Sequence, residues 1–364
     1  MDSDIIIQKL PPVWFIRLIN NFRQSLSWLN KRLFPANVVL YEHFQYFWLL
    51  PCLRVAAELD IAGIVKDGPR SIDDIATITR SNKDNLERLI RALSSQGIFR
   101  LRKGWVTNTH LSKPLLDGKG SLRYMIMQHL GTLNWTVFNE LSHSIRTGKD
   151  AFSKVYGTRI YDYLSRNKAE SELFDRSMTN LSEMSIAPLI NAYDFSQFQT
   201  LADIGGGEGW LLSSILFKNK RLGGILFDLP EGLANSGMIL NKFGVSNRVK
   251  LITGDFFETA PAEADGYILK NIIHNWSDDD CCRILTTLGK ILPENGKILV
   301  IEMVIEEDNR PSFGKLLDIQ MMVFMTSGRE RTALEYKRLI ENSGLRISRI
   351  IPTISPLSII EVIR

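Results

Sequence analysis

A glycine-rich turn between an apolar strand and an apolar helix restricts the fold of this 364-residue chain more than any other feature. It occupies residues 201–210, with the sequence Leu-Ala-Asp-Ile-Gly-Gly-Gly-Glu-Gly-Trp. Glycine has no Cβ atom, so the backbone can turn tightly and a ligand can approach it closely. The helix expected over 210–217 would point its first N–H groups at that ligand. This order of elements predicts a nucleotide-type binding site.

The spacing of the glycines separates two kinds of ligand. A dinucleotide site uses Gly-x-Gly-x-x-Gly, and counted from Gly205 its last glycine would fall on Trp210. The chain instead places Asp203 before alternating glycines that include Gly207 and Gly209. A carboxylate at the end of a strand suits a cationic amino-acid ligand better than a pyrophosphate. The spacing therefore disfavours a nicotinamide dehydrogenase, while a glycine turn without a ligand remains an alternative.

Length, charge and cysteine content limit the class of protein. The chain is long enough for two domains of about 150 residues each. Its formal net charge of +4 is too small for this length to indicate nucleic acid as a partner. Cys52, Cys281 and Cys282 give no disulfide framework, which predicts a reducing, cytoplasmic location. We expect no transmembrane helix, because no window approaches about 20 uninterrupted apolar residues.

Residues 1–35 predict a helical arm that is unusually rich in large apolar side chains. These include Ile5 to Ile7, Trp14 and Trp28, with Arg17 and other cations among them. A basic amphipathic helix of this kind can lie on a membrane surface. Its apolar face can also pack on its own protein or on a partner subunit. We favour packing against protein, because such faces are more often buried in that way.

A winged-helix dimerisation domain is predicted over residues 36–115. It begins with a long helix over 36–60, which Pro51 should bend or end. Two shorter helices follow, each opened by a capping sequence, one at 71–74 and one at 81–84. In both sequences a serine precedes an aspartate by three residues, so the serine is the expected N-cap.

The end of this domain carries a second functional possibility. Gly97 should end the second short helix, and residues 99–106 predict a hairpin. Helix, helix and hairpin is also an arrangement used to read DNA. A helix that enters a groove would be more uniformly basic than this one, which carries Asp84 and Glu87. We therefore favour dimerisation over DNA binding.

Residues 116–195 predict a helical linker that contributes to a substrate pocket. Its longest helix is expected over about 168–192. Methionines and aromatic residues are frequent here, and they suit a flat aromatic substrate as well as an ordinary core. Both interpretations stay open. The candidate pocket residues, from this segment and from a later helix, are Met178, Asp318, Met321 and Met322.

Strands and helices alternate from Thr200 onward. This rhythm predicts an α/β, Rossmann-like domain over 196–364, with a mostly parallel sheet covered by helices on both faces. Ligand atoms should collect at the carboxyl ends of the strands. The predicted strands are 200–204, 224–228, 249–253, 264–270 and 297–303, followed by a closing hairpin of 346–352 and 357–363.

Acidic residues follow two of these strands. Asp228 ends the second strand, where a carboxylate can accept hydrogen bonds from both hydroxyls of a ribose. Asp255 follows the third strand and could accept from an adenine amino group, while Phe256 covers the ring face. The alternatives are a helix N-cap before Pro230 for the first acid and a simple turn for the second.

The fourth strand leads to a candidate general base. Lys270 ends the strand, and His274 follows four residues later. A lone histidine is more often structural than catalytic, but a loop at the end of a strand is where catalytic groups lie on such a sheet. Histidine also titrates near neutral pH, as a general base must. No metal is expected, because the acids are scattered and His274 has no second histidine at metal spacing.

Five short sequences together resemble a known family, the plant-type small-molecule O-methyltransferases. That family includes caffeic acid, flavonoid and acetylserotonin O-methyltransferases and bacterial antibiotic-tailoring enzymes. The resemblance runs from about residue 36 to the C-terminus. It implies a methyltransferase fold that uses S-adenosylmethionine (SAM), with an N-terminal all-α winged-helix domain that forms a homodimer. The five sequences are the glycine motif at 203–209, Phe-Asp-Leu-Pro at 227–230, Gly-Asp-Phe-Phe at 254–257, Leu-Lys-x-x-x-His-x-Trp-Ser-Asp at 269–278 and Gly-Arg-Glu-Arg-Thr at 328–332.

The resemblance implies a set of SAM-binding residues at the matching positions. They divide by the part of the cofactor that each would contact. The implied set is Asp203, Gly205 and Gly207 for the methionyl end with Ser182 as a helper, Asp228 for the ribose, and Asp255, Phe256 and Lys270 for the adenosine portion.

The resemblance also implies a reaction. His274 would be the general base, and Glu302 and Glu330 would flank and orient it. Many relatives have Asp directly after this histidine, whereas this chain has Asn275. The expected reaction is metal-independent methyl transfer to a hydroxyl, most simply a phenol, of a small aromatic or polyketide-like metabolite. Methyl transfer to carbon or nitrogen, a non-methylating use of SAM and a SAM-sensing DNA-binding regulator are the alternatives.

Overall fold

The computed structural model describes residues 10–118 and 120–364. The apolar run Ile5 to Ile7, part of the predicted arm, lies outside the described residues. Contacts between Cα atoms divide the chain into two compact units. One unit contains the chain up to residue 20 together with 141–160 and 182–364, and the other contains 21–140 and 161–181.

The first half of the chain is mainly helical. A short 3₁₀ helix covers Lys113–Leu115, and the strands are β1 (Arg70–Ser71), β2 (Phe99–Arg102) and β3 (Trp105–Asn108). The α-helices are α1 (Val13–Leu33), α2 (Ala36–Phe44), α3 (Tyr46–Glu58), α4 (Ile61–Ile64), α5 (Ile72–Thr79), α6 (Lys83–Ser95), α7 (Arg123–His129), α8 (Thr132–Phe138), α9 (Leu141–Thr147), α10 (Ala151–Tyr156), α11 (Ile160–Arg166) and α12 (Lys168–Ala192).

The second half alternates strands with helices. Its strands are β4 (Thr200–Ile204), β5 (Gly223–Asp228), β6 (Val249–Thr253), β7 (Gly266–Lys270), β8 (Lys297–Ile305), β9 (Arg331–Thr332), β10 (Arg346–Pro352) and β11 (Leu357–Ile363). Its α-helices are α13 (Trp210–Lys218), α14 (Pro230–Leu233), α15 (Ser236–Lys242), α16 (Asp278–Ile291), α17 (Phe313–Phe324) and α18 (Ala333–Asn342), and 3₁₀ helices cover Phe195–Gln197, Ser246–Arg248 and Ile273–Asn275.

The predicted arrangement of helix, helix and hairpin is confirmed in the smaller unit, which contains 21–140 and 161–181. Helices α5 and α6 precede the β2–β3 hairpin, and β1 joins it to give a three-stranded sheet in the order β1-β3-β2. Lys103 and Gly104 form the hairpin turn with φ of 50° and 79°, the left-handed conformation that a tight two-residue turn requires. Ile75, Ile90 and Phe99 are fully buried in the core that joins these elements.

The long helix predicted over 36–60 is wrong in one respect, because the chain forms two helices that meet at Gln45. The N–H of Gln45 bonds to the carbonyl of Glu42, three residues back, and ends α2. Pro51 lies inside α3 instead of ending it. Ala56 and Ala57, which follow Pro51 in α3, are buried in the core. This packing stabilises the helix although Pro51 cannot donate a backbone hydrogen bond.

The two capping predictions differ in outcome. Ser71 is the N-cap of α5, as predicted, and its hydroxyl accepts from the N–H of Asp74 at 3.0 Å. The N-cap of α6 is Asn82 and not Ser81, because the Asn82 side chain accepts from the N–H of Asn85 at 3.0 Å. Asparagine and serine cap helices about equally well, so the sequence could not distinguish the two neighbours.

The larger unit contains the mostly parallel sheet that the sequence predicts. The strand order is β10-β11-β8-β7-β4-β5-β6, and β9 pairs with the end of β8. Strands β8, β7, β4, β5 and β6 are parallel, while β10 and β11 form the closing antiparallel hairpin. The carboxyl ends of the parallel strands therefore share one edge of the sheet.

The central strands of the sheet are buried under helices on both faces. Alternate residues of a strand point to opposite faces. Leu201 and Ile268 pack with α13 and α15 on one face, and Ala202 and Tyr267 pack with α16 and α18 on the other. This explains why the strands read as nearly continuous apolar runs. None of the helices in the described part of the chain combines the length and apolarity needed to cross a bilayer.

Candidate active site

The glycine turn follows β4 directly. Gly205, Gly207 and Gly209 have φ of 67°, 56° and 82°, in the left-handed region that favours glycine. A Cβ atom on Gly205 would lie 2.6 Å from Cδ1 of Ile272, so that position is closed to a larger residue. A Cβ atom on Gly207 would meet no described atom within 4 Å. Gly207 therefore faces open space, as the backbone of a ligand site should.

Asp203 lies beneath this turn with 2% of its surface exposed. Burial raises the pKa of Asp203 to about 7, against the opposing effect of the Lys270 ammonium and with a further rise from Asp228. A buried carboxylate of this kind is stabilised when a cation comes close to it. The methionyl end of SAM carries an ammonium group, so the Asp203 carboxylate fits that end of the cofactor.

Asp228 connects the glycine turn to the end of β5. Its carboxylate accepts from the N–H of Gly207 at 2.7 Å and from the N–H of Leu229 at 2.7 Å. Each carboxylate oxygen keeps a further lone pair for a ligand hydroxyl. Burial raises the pKa of Asp228, and the two N–H groups oppose that shift. The alternative of a helix N-cap is wrong, because the N-cap of α14 is Leu229.

Asp255 and Phe256 follow β6, which is the neighbour of β5 in the sheet. Asp255 accepts from the N–H of Phe257 at 2.9 Å, which shapes a turn. The half-buried Phe256 ring meets Trp276 edge-on, with centroids 6.2 Å apart. An atom of that ring would lie 3.6 Å from a Cβ on Gly205. Phe256 therefore borders the glycine turn, where a ring can contact a flat ligand group.

Lys270 and Ser182 meet at the end of β7. The Lys270 ammonium donates to the Ser182 hydroxyl at 3.3 Å, which brings the C-terminal part of α12 to the same edge of the sheet. Burial lowers the pKa of Lys270, and the nearby Asp203 and Glu302 carboxylates oppose that shift. The structure thus brings together Ser182, Lys270 and Asp203, which the sequence analysis associated only through the family resemblance.

His274 lies in the 3₁₀ helix after β7, and 15% of its side chain is exposed. Its Nδ1 atom is 2.9 Å from Oε1 of Glu330 and 3.6 Å from Oε2 of Glu302. The other ring nitrogen, Nε2, is therefore directed away from both carboxylates. Burial alone would lower the pKa of His274, but the charges of Glu302 and Glu330 outweigh it and raise the pKa.

Glu302, which lies within β8, holds the histidine loop. It is fully buried, and its Oε1 accepts from the N–H of Ile273 at 2.8 Å and from the N–H of His274 at 3.3 Å. Burial raises the pKa of Glu302 to about 7, with the His274 charge opposing that shift. Glu302 therefore fixes the backbone of the loop as well as facing the ring.

Glu330 reaches His274 from the segment after α17. The backbone N–H of Glu330 donates to the Asp318 carboxylate at 2.8 Å. The N–H of Arg329 donates to the carbonyl of His274 at 2.8 Å. Asp318, named above as a pocket candidate, thus contacts the backbone of an orienting acid. Glu330 is 1% exposed, so its carboxylate is well shielded from solvent.

Arg331 is a contributor that the sequence analysis did not identify. Its guanidinium is 1% exposed and donates to the carbonyls of Ile273 and Trp276 at 3.1 and 3.0 Å. It also pairs with the Asp278 carboxylate at 2.6 Å. Arg331 therefore donates to carbonyls on both sides of His274 in the sequence and holds the loop in place. The signal was present in the Gly-Arg-Glu-Arg-Thr sequence, but nothing there distinguishes the buried arginine from the exposed Arg329.

Asn275 has a structural role next to the histidine. Its side-chain amide donates to the carbonyl of Asn271 at 3.1 Å, and Asn271 has φ of 55°. An aspartate carboxylate could not donate this bond. Asn275 therefore stabilises the strained turn that leads to His274.

The expectation that the acids are scattered is wrong for two of them. His274, Glu302 and Glu330 offer ligand atoms that all lie within 4.8 Å of one another, which is close enough for a metal ion. Among these atoms, His274 Nδ1 and Glu330 Oε1 share a hydrogen bond, while Oε2 of Glu302 is buried without one. Metal-independence stays a prediction, which a chelator can test.

The pocket candidates divide between the two units. Met321 is buried on α17, and Met322 and Asp318 are half-buried on the same helix. Met178 is half-buried on α12, in the smaller unit. Their placement around one substrate therefore stays a prediction.

A parallel sheet with a glycine turn after β4, an acid after β5 and a histidine held by two buried carboxylates defines a SAM-dependent methyltransferase. Comparison with family models agrees with this class. Residues 138–346 match the O-methyltransferase domain, and residues 41–118 match the O-methyltransferase dimerisation domain. The chain belongs to this O-methyltransferase family, which confirms the resemblance stated above.

Individual relatives give the same result. Phenazine O-methyltransferase PhzM of Lysobacter antibioticus is 36% identical over 329 residues, which cover 90% of this chain and 96% of that protein. The crystal structure of LaPhzM superposes with a TM-score of 0.84 at 35% identity, covering 90% of this chain and 99% of the other. NcsB1, an O-methyltransferase from neocarzinostatin biosynthesis solved with SAM and 2-hydroxy-5-methyl naphthoic acid, has a TM-score of 0.73 at 30% identity, covering 86% and 95%. This chain is a SAM-dependent O-methyltransferase.

Proposed function

We propose that this enzyme transfers the methyl group of SAM to a phenolic hydroxyl of a small aromatic or polyketide-like metabolite, with His274 as the general base. The observation that carries the proposal is the position of His274 between Glu302 and Glu330, at the edge of the sheet that holds the glycine turn. The aromatic acid in the NcsB1 structure supports an aromatic acceptor.

Polar side chains at the carboxyl edge of the sheet support the cofactor assignment. Bound SAM supplies an electrophilic methyl group on a positively charged sulfur. The contacts of Asp203, Asp228 and Lys270 described above support the division that the family resemblance implies. We assign Asp203, Gly205, Gly207 and Ser182 to the methionyl end, Asp228 to the ribose, and Asp255, Phe256 and Lys270 to the adenosine portion.

His274 would move one proton. Glu330 accepts a hydrogen bond from Nδ1–H at 2.9 Å, and this leaves the lone pair of the neutral ring on Nε2. A phenol has a pKa near about 10 and is a poor nucleophile until that proton is removed. The ring becomes charged as it accepts the proton, and Glu302 and Glu330 stabilise that charge. A base placed in this way contributes about 10²–10⁴ in rate.

The dimerisation domain supports a homodimer. Helices α2 and α3 carry exposed aromatic side chains within the matched segment, among them Tyr41, Phe44, Phe47 and Trp48, which are 51–59% exposed. Apolar groups at this density usually lie in an interface. We propose that a second copy of the chain covers them, and light scattering that gave a monomer mass would contradict this.

The remaining partner and location assignments stay predictions. Three free thiols, at Cys52, Cys281 and Cys282, support a reducing, cytoplasmic location. The modest net charge supports a protein without a nucleic-acid partner. A gel shift with DNA at low salt would contradict the second assignment.

The experiment that tests the reaction uses the full chain with methyl-labelled SAM. Hydroxylated aromatic acids and the corresponding methyl ethers and amines serve as matched acceptors. The proposal predicts label on the phenol oxygen, one S-adenosylhomocysteine for each transfer, and no label on the methyl ether. Label on a ring carbon, or on the amine in preference to the phenol, would contradict it.

A further inference from the structure

Helix α1 carries a continuous apolar face that stays exposed among the described residues. Seven of its apolar residues recur at helical spacing and fall within about 100° of the helix circumference. Among the residues of α1, all of which the structure describes, none is buried. The face consists of Phe15, Leu18, Ile19, Phe22, Leu26, Leu29 and Leu33, which are 39–68% exposed.

All the charged residues of α1 are cations. Arg17 and Lys31 lie opposite the apolar face, Arg23 and Arg32 flank it at about 90° from its centre, and the chain has no acid between Asp4 and Glu42. Trp14 lies at one border of the apolar face, and Trp28 lies about 40° farther around the helix, between Arg17 and Arg32. A helix with an apolar face, cations on its other side and tryptophans beside them is the form that binds in the plane of a lipid surface.

Packing against the same chain, one of the arrangements favoured in the sequence analysis, is not observed for α1 in the described part of the chain, since none of its residues is fully buried. A second copy is the other protein occupant to consider. The matched dimerisation segment, 41–118, begins after α1 and carries eleven Lys and Arg against nine Asp and Glu. That segment therefore offers a cationic helix no net opposite charge. An anionic lipid surface supplies both the opposite charge and an apolar layer.

We propose that α1 binds the surface of an anionic lipid bilayer and holds the enzyme there. The apolar face would enter the boundary between headgroups and acyl chains, and the arginines and Lys31 would contact lipid phosphates. Trp14 and Trp28 would lie at headgroup level, where tryptophan is enriched. This binding involves no group of the active site, so it is independent of the proposed reaction.

Co-sedimentation of the full chain with lipid vesicles tests the proposal. Vesicles of phosphatidylcholine with phosphatidylglycerol are compared with vesicles of phosphatidylcholine alone. Each cation near an anionic surface is worth about fivefold in binding, so K31Q/R32Q should lower the partition coefficient by about tenfold or more. F22S/L26S should lower it by at least about tenfold, because two anchors leave the apolar face.

Matched variants at other exposed positions serve as controls. R100Q/R102Q removes two exposed cations of β2, and M238S/L334S removes two exposed apolar side chains of α15 and α18. Both should keep the wild-type partition coefficient. Equal binding by the variants of α1 and the wild type, or no binding of the wild type to anionic vesicles, would overturn the proposal.

Light scattering without lipid tests whether a second copy of the chain, instead of a lipid surface, covers the apolar face of α1. The proposal predicts that F22S/L26S keeps the wild-type mass and a wild-type circular dichroism spectrum. A fall from dimer to monomer mass in this variant would show that α1 belongs to the interface between subunits, and would overturn the proposal.

Discussion

Replacing Glu330 with Gln should change the pH dependence of catalysis in a defined direction. His274 must be neutral to accept a proton, so kcat/KM rises as the pH passes upward through its pKa. That pKa is raised above the ordinary value of 6.5 by Glu302 and Glu330, which outweigh the effect of burial. E330Q keeps the shape and the hydrogen-bond acceptor but removes one charge. The acid limb should therefore move to lower pH.

The size of the shift follows from the contact. Nδ1 of His274 is 2.9 Å from the buried Glu330 carboxylate, and an opposite charge at such range shifts a pKa by about 1–3 units. Glu302 remains in E330Q, so we expect a shift of about 1–2 units. One unit corresponds to about 1.4 kcal/mol. The plateau of kcat/KM should fall by about tenfold to a hundredfold, because the charged ring loses the same interaction.

E302Q is the matched comparison. Glu302 lies 3.6 Å from the ring, and its charge is the largest of the contributions that raise the pKa of His274. The acid limb should therefore move to lower pH in E302Q as well. The assay measures initial rates with labelled SAM from about pH 5.5 to about pH 9, in steps of about half a pH unit, which resolves one pKa. An unchanged profile in E330Q, or a shift of the acid limb to higher pH in either variant, would refute the reasoning.

Three further outcomes follow from the geometry. D228N should weaken SAM binding by about tenfold or more in calorimetry, because a charged acceptor that also holds Gly207 is lost. R331M should lower the free energy of unfolding in urea by about 3 kcal/mol, since the carbonyls of Ile273 and Trp276 lose a buried donor. Dialysis against a chelator should leave turnover unchanged, and loss that Zn²⁺ or Mg²⁺ restores would show that the acid cluster around His274 holds a metal.

The parallel sheet and its hairpin were predictable because their cause is local. Strands buried on both faces, such as β4 and β11, appear as apolar runs. These two strands and the edge strands β6 and β10 have the bounds that the sequence predicts. The positions after the strands were predictable for the same reason, since parallel strands bring their carboxyl ends to one edge. The order of strands and polar residues along the chain is therefore enough to locate Asp228 and His274 at the same edge of the sheet.

The contacts made across long stretches of chain were not predictable. The break at Gln45 depends on how α3 packs, and a proline at position 51 pointed to the wrong place. The role of Arg331 depends on which of two arginines, close in sequence, enters the core. The bond from Asp318 to the backbone of Glu330 joins a helix to a later loop. Such pairings follow from tertiary geometry, which a pattern within one segment does not contain.

The central claim is that His274 acts on the acceptor and not on the cofactor. Measuring SAM affinity by calorimetry and methyl transfer by label in His274→Gln tests it most directly. The account predicts SAM affinity within about threefold of the wild type and a rate lower by about 10²–10⁴. Wild-type turnover in this variant would contradict the claim, and so would a loss of SAM binding large enough to account for the loss of rate.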